Sequence, residues 1–195
     1  MPPAEIAYTA AQIEARIDEL AKALRRDLGE ERPVLISILK GSVVFLADLV
    51  RALQIDADID FMSISSYGGE VGRSGVVRIV KDLDQPIQGR HVVVVEDIVD
   101  TGFTLSYLLR TLQTREPASV KVCTLIDKTV RRIADLQIDY SGFESEEFLI
   151  GYGLDFQGRY RNLPYLVSVK DIAALAAHPD SLDALFQDGD EKDDE

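Results

Sequence analysis

Residues 92–104 read Val92-Val93-Val94-Val95-Glu96-Asp97-Ile98-Val99-Asp100-Thr101-Gly102-Phe103-Thr104. Four consecutive valines without polar alternation predict a strand that is buried on both faces, which is typical of a parallel sheet covered by helices. Leucines at helical spacing follow from Leu105 to Leu112. The stretch therefore predicts a buried strand, a turn and a helix in succession.

Three carboxylates, those of Glu96, Asp97 and Asp100, precede a turn of small and hydroxyl-bearing residues. In an open α/β sheet, ligands bind at the carboxyl ends of the strands. The start of a helix offers backbone N–H groups to a phosphate, and carboxylates accept hydrogen bonds from hydroxyls and bind Mg²⁺. The pattern thus indicates a phosphorylated sugar with Mg²⁺ nearby.

Two other classes of protein share parts of this pattern. A hydrophobic strand that ends in Asp occurs in phosphate-accepting receiver domains, and Asp-Thr-Gly alone occurs in aspartic proteases. A nucleotide-binding P-loop is excluded, because Phe103 stands where that motif needs a lysine.

Length and charge narrow the class of protein further. The chain has 195 residues, which suits one domain, predicted over 1–180, followed by an acidic tail over 181–195 that is expected to be disordered. The net charge is −13, and the acidic tail carries much of it. An acidic body argues against nucleic-acid and membrane partners. One cysteine, no targeting segment and no long apolar run predict a cytoplasmic protein without disulfides.

Strand and helix patterns alternate along the chain. A capping box at Thr9–Gln12 predicts a helix to residue 28. Strands are predicted over 34–39, 58–64, 76–83, 119–126, 148–150 and 166–169, helices over 43–53 and 172–177, and a glycine-rich loop over 65–75. Alternation of this kind predicts an α/β fold with a mainly parallel central sheet flanked by helices. The late strands over 140–169 lack intervening helices and predict a small cap subdomain.

The form Glu-Asp-x-x-Asp-Thr-Gly-x-Thr over 96–104 resembles the 5-phosphoribosyl 1-pyrophosphate signature of the type I phosphoribosyltransferases, in its hypoxanthine-guanine form. Four further motifs carry the same resemblance, namely Leu39-Lys40-Gly41-Ser42, Ser65-Ser66-Tyr67-Gly68-Gly69, Ile126-Asp127-Lys128 and the stretch from Gly142 to Arg161. The resemblance implies an enzyme of purine salvage that transfers the phosphoribosyl group to hypoxanthine or guanine. It also implies Mg²⁺ as cofactor and a homodimer or homotetramer.

The resemblance assigns roles to individual residues. Asp100 would be the general base that takes the proton from N7 of the purine. Ribose and 5′-phosphate binding falls on Glu96, Asp97, Asp100, Thr101, Gly102, Phe103 and Thr104, with Phe103 contributing its backbone amide. Pyrophosphate binding falls on Lys40, Gly41 and Arg161, with a cis peptide between Leu39 and Lys40.

The remaining roles concern the lid, the base and the metal. Ser66 and Tyr67 would close over the site as a lid, which keeps water from the reacting sugar. Lys128, Phe148 and Leu149 would bind the purine, and Glu96, Asp97 and Asp155 would bind Mg²⁺. Structural roles compete with several of these assignments, since Phe148 also fits core packing and Lys40 fits a solvated turn.

Two rival functions stay open. A regulator could keep the phosphoribosyl site as a nucleotide sensor, like the pyrimidine-operon attenuation proteins, but it would need a basic RNA-binding face that an acidic body does not favour. An adenine or pyrimidine phosphoribosyltransferase is disfavoured by Lys128, because an ammonium donates to the exocyclic oxygen of a 6-oxopurine.

Overall fold

The computed structural model describes residues 4–29, 31–67, 76–178 and 180–182, without the side chains of residues 66, 67, 76 and 77. Residues 183–195 of the predicted tail over 181–195 and residues 68–75 of the predicted glycine-rich loop over 65–75 lie outside the described residues. Leu182, within the predicted disordered tail, is instead buried in a hydrophobic cluster. The chain divides into a larger unit, residues 14–146, and a smaller unit that combines residues 1–13 with 147–195. The single domain over 1–180 stays a prediction.

Nine strands and four helices make up the described part of the chain. In chain order they are β1 (Ala4–Tyr8), α1 (Ala10–Leu28), β2 (Val34–Leu39), α2 (Val43–Leu53), β3 (Asp58–Tyr67), β4 (Val76–Lys81), β5 (His91–Val99), α3 (Phe103–Gln113), β6 (Ser119–Asp127), β7 (Tyr140–Glu144), β8 (Leu149–Ile150), β9 (Leu166–Val169) and α4 (Ile172–Ala177). A short 3₁₀ turn, Thr129–Arg131, follows β6.

The larger unit contains a six-stranded sheet in the order β4-β3-β2-β5-β6-β7. All neighbouring strands are parallel except β3 and β4, which are antiparallel. Strand β5 lies near the middle, where Val34 of β2 and Val120 of β6 both pair with Val92. The valines of β5 are almost completely buried, as the apolar run predicts. The predicted parallel sheet is therefore confirmed.

Helices cover this sheet with apolar faces. The buried residues of α3 are Leu105, Leu108 and Leu112, which recur at helical spacing. They belong to a cluster with strand residues such as Ile36 and Val94. The capping box at the start of α1 is confirmed, because the Thr9 backbone N–H donates to Gln12 Oε1 at 2.9 Å.

The smaller unit has its own three-stranded sheet in the order β1-β9-β8, with antiparallel pairing throughout. Its core includes Ile150, Tyr160, Leu163 and Val167. This sheet falls where the sequence predicts a small cap subdomain, with the addition of β1 from the start of the chain.

Several boundaries differ from the predictions. Strands β1 and β7 are not predicted, because the short sequence of β1 pairs only with distant β9 and β7 contains Gly142. A side chain at Gly142 would overlap the backbone carbonyl of Leu125 in β6, so the position needs glycine. Strand β3 continues to Tyr67, three residues beyond its predicted end, because it pairs with β4 as far as Val76. In the described residues, no helix has the length and apolar character that crossing a membrane requires.

Candidate active site

Three neighbouring parallel strands of the larger unit, β2, β5 and β6, end at the same edge of the sheet. The register pairs Ser37 of β2 with Val95 of β5, and Val99 of β5 with Asp127 of β6. Each strand is followed directly by a stretch with predicted function: 40–42 after β2, 100–104 after β5 and Lys128 after β6. Parallel pairing thus brings three of the predicted motifs to one edge.

The turn after β2 lies directly against β5. A Cβ atom added at Gly41 would overlap the Asp97 carboxylate, so any other residue would require the Asp97 side chain to move. The turn is held from within, because the buried Ser42 hydroxyl lies 2.6 Å from both Ile38 O and Ser37 Oγ. The predicted cis peptide between Leu39 and Lys40 is present, and Lys40 itself is exposed.

The two adjacent carboxylates of β5 occupy different environments. Glu96 is only 8 % exposed, and burial, followed by the neighbouring charge of Asp97, raises its pKa well above the ordinary value of a glutamate. Asp97 is half-buried, and its Oδ1 accepts a hydrogen bond from the Ile98 backbone N–H at 2.8 Å. The environment of Glu96 therefore favours its neutral form, while Asp97 accepts a hydrogen bond from the backbone.

The turn between β5 and α3 has the form of a phosphate cradle. Gly102 has φ +82°, a left-handed conformation that favours glycine, and no side chain caps the first turn of α3. The N–H groups of that first turn have no partner within the helix and can donate to an anion. Phe103 is 57 % exposed, so its backbone rather than its ring serves the turn.

A segment after β6 supports this cradle from behind. The carbonyl oxygen of Thr101 accepts hydrogen bonds from the N–H groups of Ile133 and Ala134, each at 3.0 Å. A Cβ atom at Gly102 would come 2.7 Å from a methyl carbon of Leu136. The sequence analysis missed this support, because an irregular segment some thirty residues along the chain carries no local pattern that points to the cradle.

Asp100 lies at the start of the cradle, and its two carboxylate oxygens have different surroundings. Oδ2 lies 3.6 Å from Nη1 of Arg131. Oδ1 is shielded from solvent and has no hydrogen-bond partner among the described residues. An unpaired buried acceptor is costly, and the carboxylate would have to turn before Oδ1 could accept a hydrogen bond from a ligand.

Lys128 begins the loop after β6 and is only 5 % exposed. Its backbone N–H donates to Val99 O at 2.9 Å, which ties it to the end of β5. The pKa of its ammonium group is lowered, chiefly by burial and also by the charge of Arg131. The negative charges of Asp100 and Glu146 offset this only in part. Lys128 is thus a desolvated donor at the same edge as Asp100.

The preceding residue, Asp127, forms a largely buried ion pair with Arg132. Burial raises the pKa of Asp127, which Arg132 partly offsets. Nε of Arg132 is buried without a hydrogen-bond partner among the described residues. The sequence analysis assigned no role to Arg131 or Arg132, although two adjacent arginines three residues after Lys128 are a visible signal.

The smaller unit holds the predicted residues Phe148, Leu149, Asp155 and Arg161. Asp155 forms an ion pair with Arg161 at 2.6 Å and also accepts from the Gly158 backbone N–H at 2.7 Å. Phe148 packs against the core of this unit and meets Phe156 edge-to-face at 6.1 Å. Leu149 is buried in β8. Asp155 and Arg161 are therefore neighbours, whereas Phe148 and Leu149 pack within the unit. The side chains of Ser66 and Tyr67 lie outside what the structure describes.

The carboxylates were examined as possible metal ligands. No group of three or more His, Cys, Asp or Glu side chains that could hold a metal ion occurs in the described ranges. Magnesium commonly binds one or two carboxylates together with substrate phosphates and water. Asp97 in the larger unit and Asp155 in the smaller unit each offer a hard oxygen donor of the kind that Mg²⁺ binds.

A parallel sheet with a phosphate cradle and a buried lysine at its carboxyl edge defines an α/β protein that binds a nucleotide or its precursors. Residues 6–157 match the model of the phosphoribosyl transferase domain. The hypoxanthine-guanine phosphoribosyltransferase of Mycobacterium avium is 49 % identical over 168 residues, which cover 83 % of each chain. The hypoxanthine phosphoribosyltransferase of Escherichia coli K12 is 43 % identical over 169 residues, which cover 85 % of this chain and 94 % of that protein.

A solved structure agrees with these relatives. The crystal structure of a hypoxanthine-guanine phosphoribosyltransferase from Bacillus anthracis superposes with a TM-score of 0.82 at 44 % identity, covering 85 % of this chain and 98 % of that one. The chain belongs to the phosphoribosyltransferase family and, within it, to the hypoxanthine-guanine phosphoribosyltransferases.

The raised pKa of the buried Glu96 carboxyl group predicts how the free energy of unfolding depends on pH. Because its pKa is raised in the folded state, its contribution to stability is complete below the pKa of the unfolded chain and is lost as pH rises through the folded value. Glu96→Gln should therefore raise the free energy of unfolding at pH 8 relative to the unmodified protein, and this gain should shrink towards zero as pH falls towards 4.5, the ordinary value.

Urea denaturation across this pH range measures the effect. Glu14→Gln, on the exposed side of α1, is the matched control and should show no such trend. A gain from Glu96→Gln that is the same at every pH would contradict a raised pKa.

Proposed function

We propose that the protein transfers the 5-phosphoribosyl group from 5-phosphoribosyl 1-pyrophosphate to hypoxanthine or guanine, giving IMP or GMP and pyrophosphate. Membership of the hypoxanthine-guanine phosphoribosyltransferases supports this reaction. The proposal for individual residues rests on the geometry of the larger unit, where the register of the sheet aligns the ends of three strands.

One observation carries the proposal, namely the close approach of Gly41 to the Asp97 carboxylate. It joins the motif proposed for pyrophosphate to the motif proposed for ribose. In 5-phosphoribosyl 1-pyrophosphate these groups are adjacent, since the pyrophosphate is attached to C1 of the ribose. Two binding elements that touch each other suit a substrate whose two groups are directly bonded.

In the proposed reaction, N9 of the purine forms a bond to C1 of the ribose while the bond from C1 to the pyrophosphate oxygen breaks. The purine N7–H then loses its proton to Asp100, and the electron pair neutralises the new positive charge of the ring. The position of Asp100 at the carboxyl end of β5, directly before the turn proposed for the phosphate, supports this role. The turn 101–104 binds the 5′-phosphate, and Glu96 and Asp97 bind the ribose hydroxyls.

Pyrophosphate is proposed to bind Lys40, Gly41 and Arg161, and the lid residues Ser66 and Tyr67 to exclude water. Asp155, with Glu96 and Asp97, would hold Mg²⁺, which when bound offsets negative charge on the departing pyrophosphate. Arg161 lies beside Asp155, so a cation fork and a hard oxygen ligand are available together in the smaller unit.

The purine is proposed to bind Lys128, Phe148 and Leu149. The buried ammonium of Lys128 donates to the 6-oxo group, whereas the 6-amino group of adenine would leave that donor unpaired. We also propose that the protein is a homodimer or homotetramer in the cytoplasm. Light scattering after size-exclusion chromatography tests the oligomeric state.

A base-competition assay tests the function. The purified protein is mixed with 5-phosphoribosyl 1-pyrophosphate, Mg²⁺ and hypoxanthine, guanine, xanthine or adenine, and nucleotide formation is followed. Product from 6-oxopurines and none from adenine is expected. Tight binding of nucleotide without product from any base would instead favour the regulator.

Asp100→Asn should lower kcat about 10²–10⁴-fold, the range typical of a general base. The affinity for IMP should change much less, because the product no longer carries the N7 proton. Steady-state kinetics and calorimetric titration with IMP separate the two effects. Equal loss of turnover and of nucleotide affinity would remove the general-base role.

Lys128→Ala should weaken the preference for 6-oxopurines over adenine by about 10-fold or more, because the donor that adenine leaves unpaired is gone. The ratio of kcat/KM values for hypoxanthine and adenine measures this preference. Lys40→Ala is the matched control within the same site and should weaken substrate binding without altering that ratio. An unchanged ratio in Lys128→Ala would reject the assigned contact.

A further inference from the structure

A third charged side chain faces the proposed base-binding corner. The 3₁₀ turn Thr129–Arg131 follows Lys128 directly and places Arg131 3.6 Å from Oδ2 of Asp100. The backbone N–H of Arg131 donates to Lys128 O at 3.2 Å, so the turn that presents Arg131 is also attached to the purine-binding lysine.

Glu146 holds Arg131 from the other side. Its Oε2 lies 3.9 Å from Nε of Arg131, and its Oε1 accepts from the Val130 backbone N–H at 3.0 Å. The guanidinium group is thus placed between two carboxylates, those of Asp100 and Glu146, by a turn that Glu146 itself fastens. Both carboxylates therefore contact the guanidinium group, Asp100 at Nη1 and Glu146 at Nε.

The two oxygens of Asp100 are distinguished by this arrangement. Oδ2 faces the guanidinium group, and Oδ1 is shielded from solvent without a partner among the described residues. A carboxylate on a free Cβ–Cγ bond can exchange its oxygens by rotation. A cation on one oxygen favours a single orientation of the carboxylate.

We propose that Arg131 is a positioning residue for the reaction, which holds the Asp100 carboxylate by Oδ2 in the orientation that receives the purine proton. The proposal rests on the proposed function of Asp100 as general base. Arg131 touches neither reacting atom in this assignment and acts through Asp100.

The contribution of Arg131 lies in catalysis rather than in stability. Its side chain is 57 % exposed and that of Asp100 is 47 % exposed, and ion pairs so accessible to water add little to folding. Misplacement of a catalytic group by about 1 Å can cost as much as 10²-fold in rate. Loss of Arg131 should therefore be visible in turnover while the fold is unaffected.

The test compares Arg131→Gln, Arg131→Lys and the unmodified protein in the nucleotide-forming assay with guanine. We expect Arg131→Gln to lower kcat about 10-fold, with the KM for each substrate and the affinity for IMP within about 2-fold. Arg131→Lys keeps a cation and should recover part of the loss. Arg51→Gln, an exposed arginine that pairs with Asp48 on α2, is the matched control and should match the unmodified protein.

A second substrate separates positioning of the base from a general disturbance. In 8-azaguanine a ring nitrogen replaces C8, which makes the ring N–H more acidic, so proton removal depends less on a well-placed base. The loss of kcat in Arg131→Gln should therefore be clearly smaller with 8-azaguanine than with guanine. Measuring both bases with the same preparations gives this ratio directly.

Three results would overturn the proposal. Unchanged or faster turnover in Arg131→Gln would show that Asp100 needs no such partner, and an equal loss with both bases would show a disturbance unrelated to proton transfer. A failure of Arg131→Lys to recover any activity would remove the role of the cation. If the unmodified protein makes no nucleotide from any base, the proposed function itself fails, and this inference fails with it.

Discussion

Glycine at position 41 lets the turn after β2 lie directly against the Asp97 carboxylate, where any side chain would overlap it. This contact sets the distance between the turn and β5, and the parallel register then sets the position of β6 and Lys128 relative to both. The site in the larger unit is therefore built from backbone geometry first. Side chains such as Lys40 are placed by the turn rather than by contacts of their own.

The sequence was sufficient to predict the elements whose pattern lies within a few neighbouring residues. The valines of β5, the leucines of α3 and the capping box of α1 each specify their structure within a few residues, and all are observed. The turn motifs were predictable for the same reason, since a strand, a short motif and a helix follow one another directly. Membership of the family then fixes which strands are neighbours, although the roles of the residues remain proposals.

Contacts between distant segments could not be predicted from the sequence. Strand β1 exists because it pairs with β9, more than 150 residues away, and the cradle at Thr101 is supported by the N–H groups of Ile133 and Ala134. An irregular segment has no periodicity that could reveal such contacts. The pairing of Arg131 with Asp100 belongs to the same class, because only the tertiary structure brings the 3₁₀ turn to the end of β5.

The distribution of charge explains how an acidic chain can bind a substrate rich in phosphate. Arginines near the proposed site are engaged by carboxylates of the protein, Arg132 by Asp127 and Arg161 by Asp155. The proposed phosphate contacts are the backbone N–H groups at the start of α3, exposed Lys40, Arg161 and a metal ion that would arrive with the substrate. Burial raises the pKa of the Glu96 carboxyl group and so favours its neutral form. Glu96 and Asp97, at the end of β5, are then proposed to accept from the ribose hydroxyls next to the turn proposed for pyrophosphate.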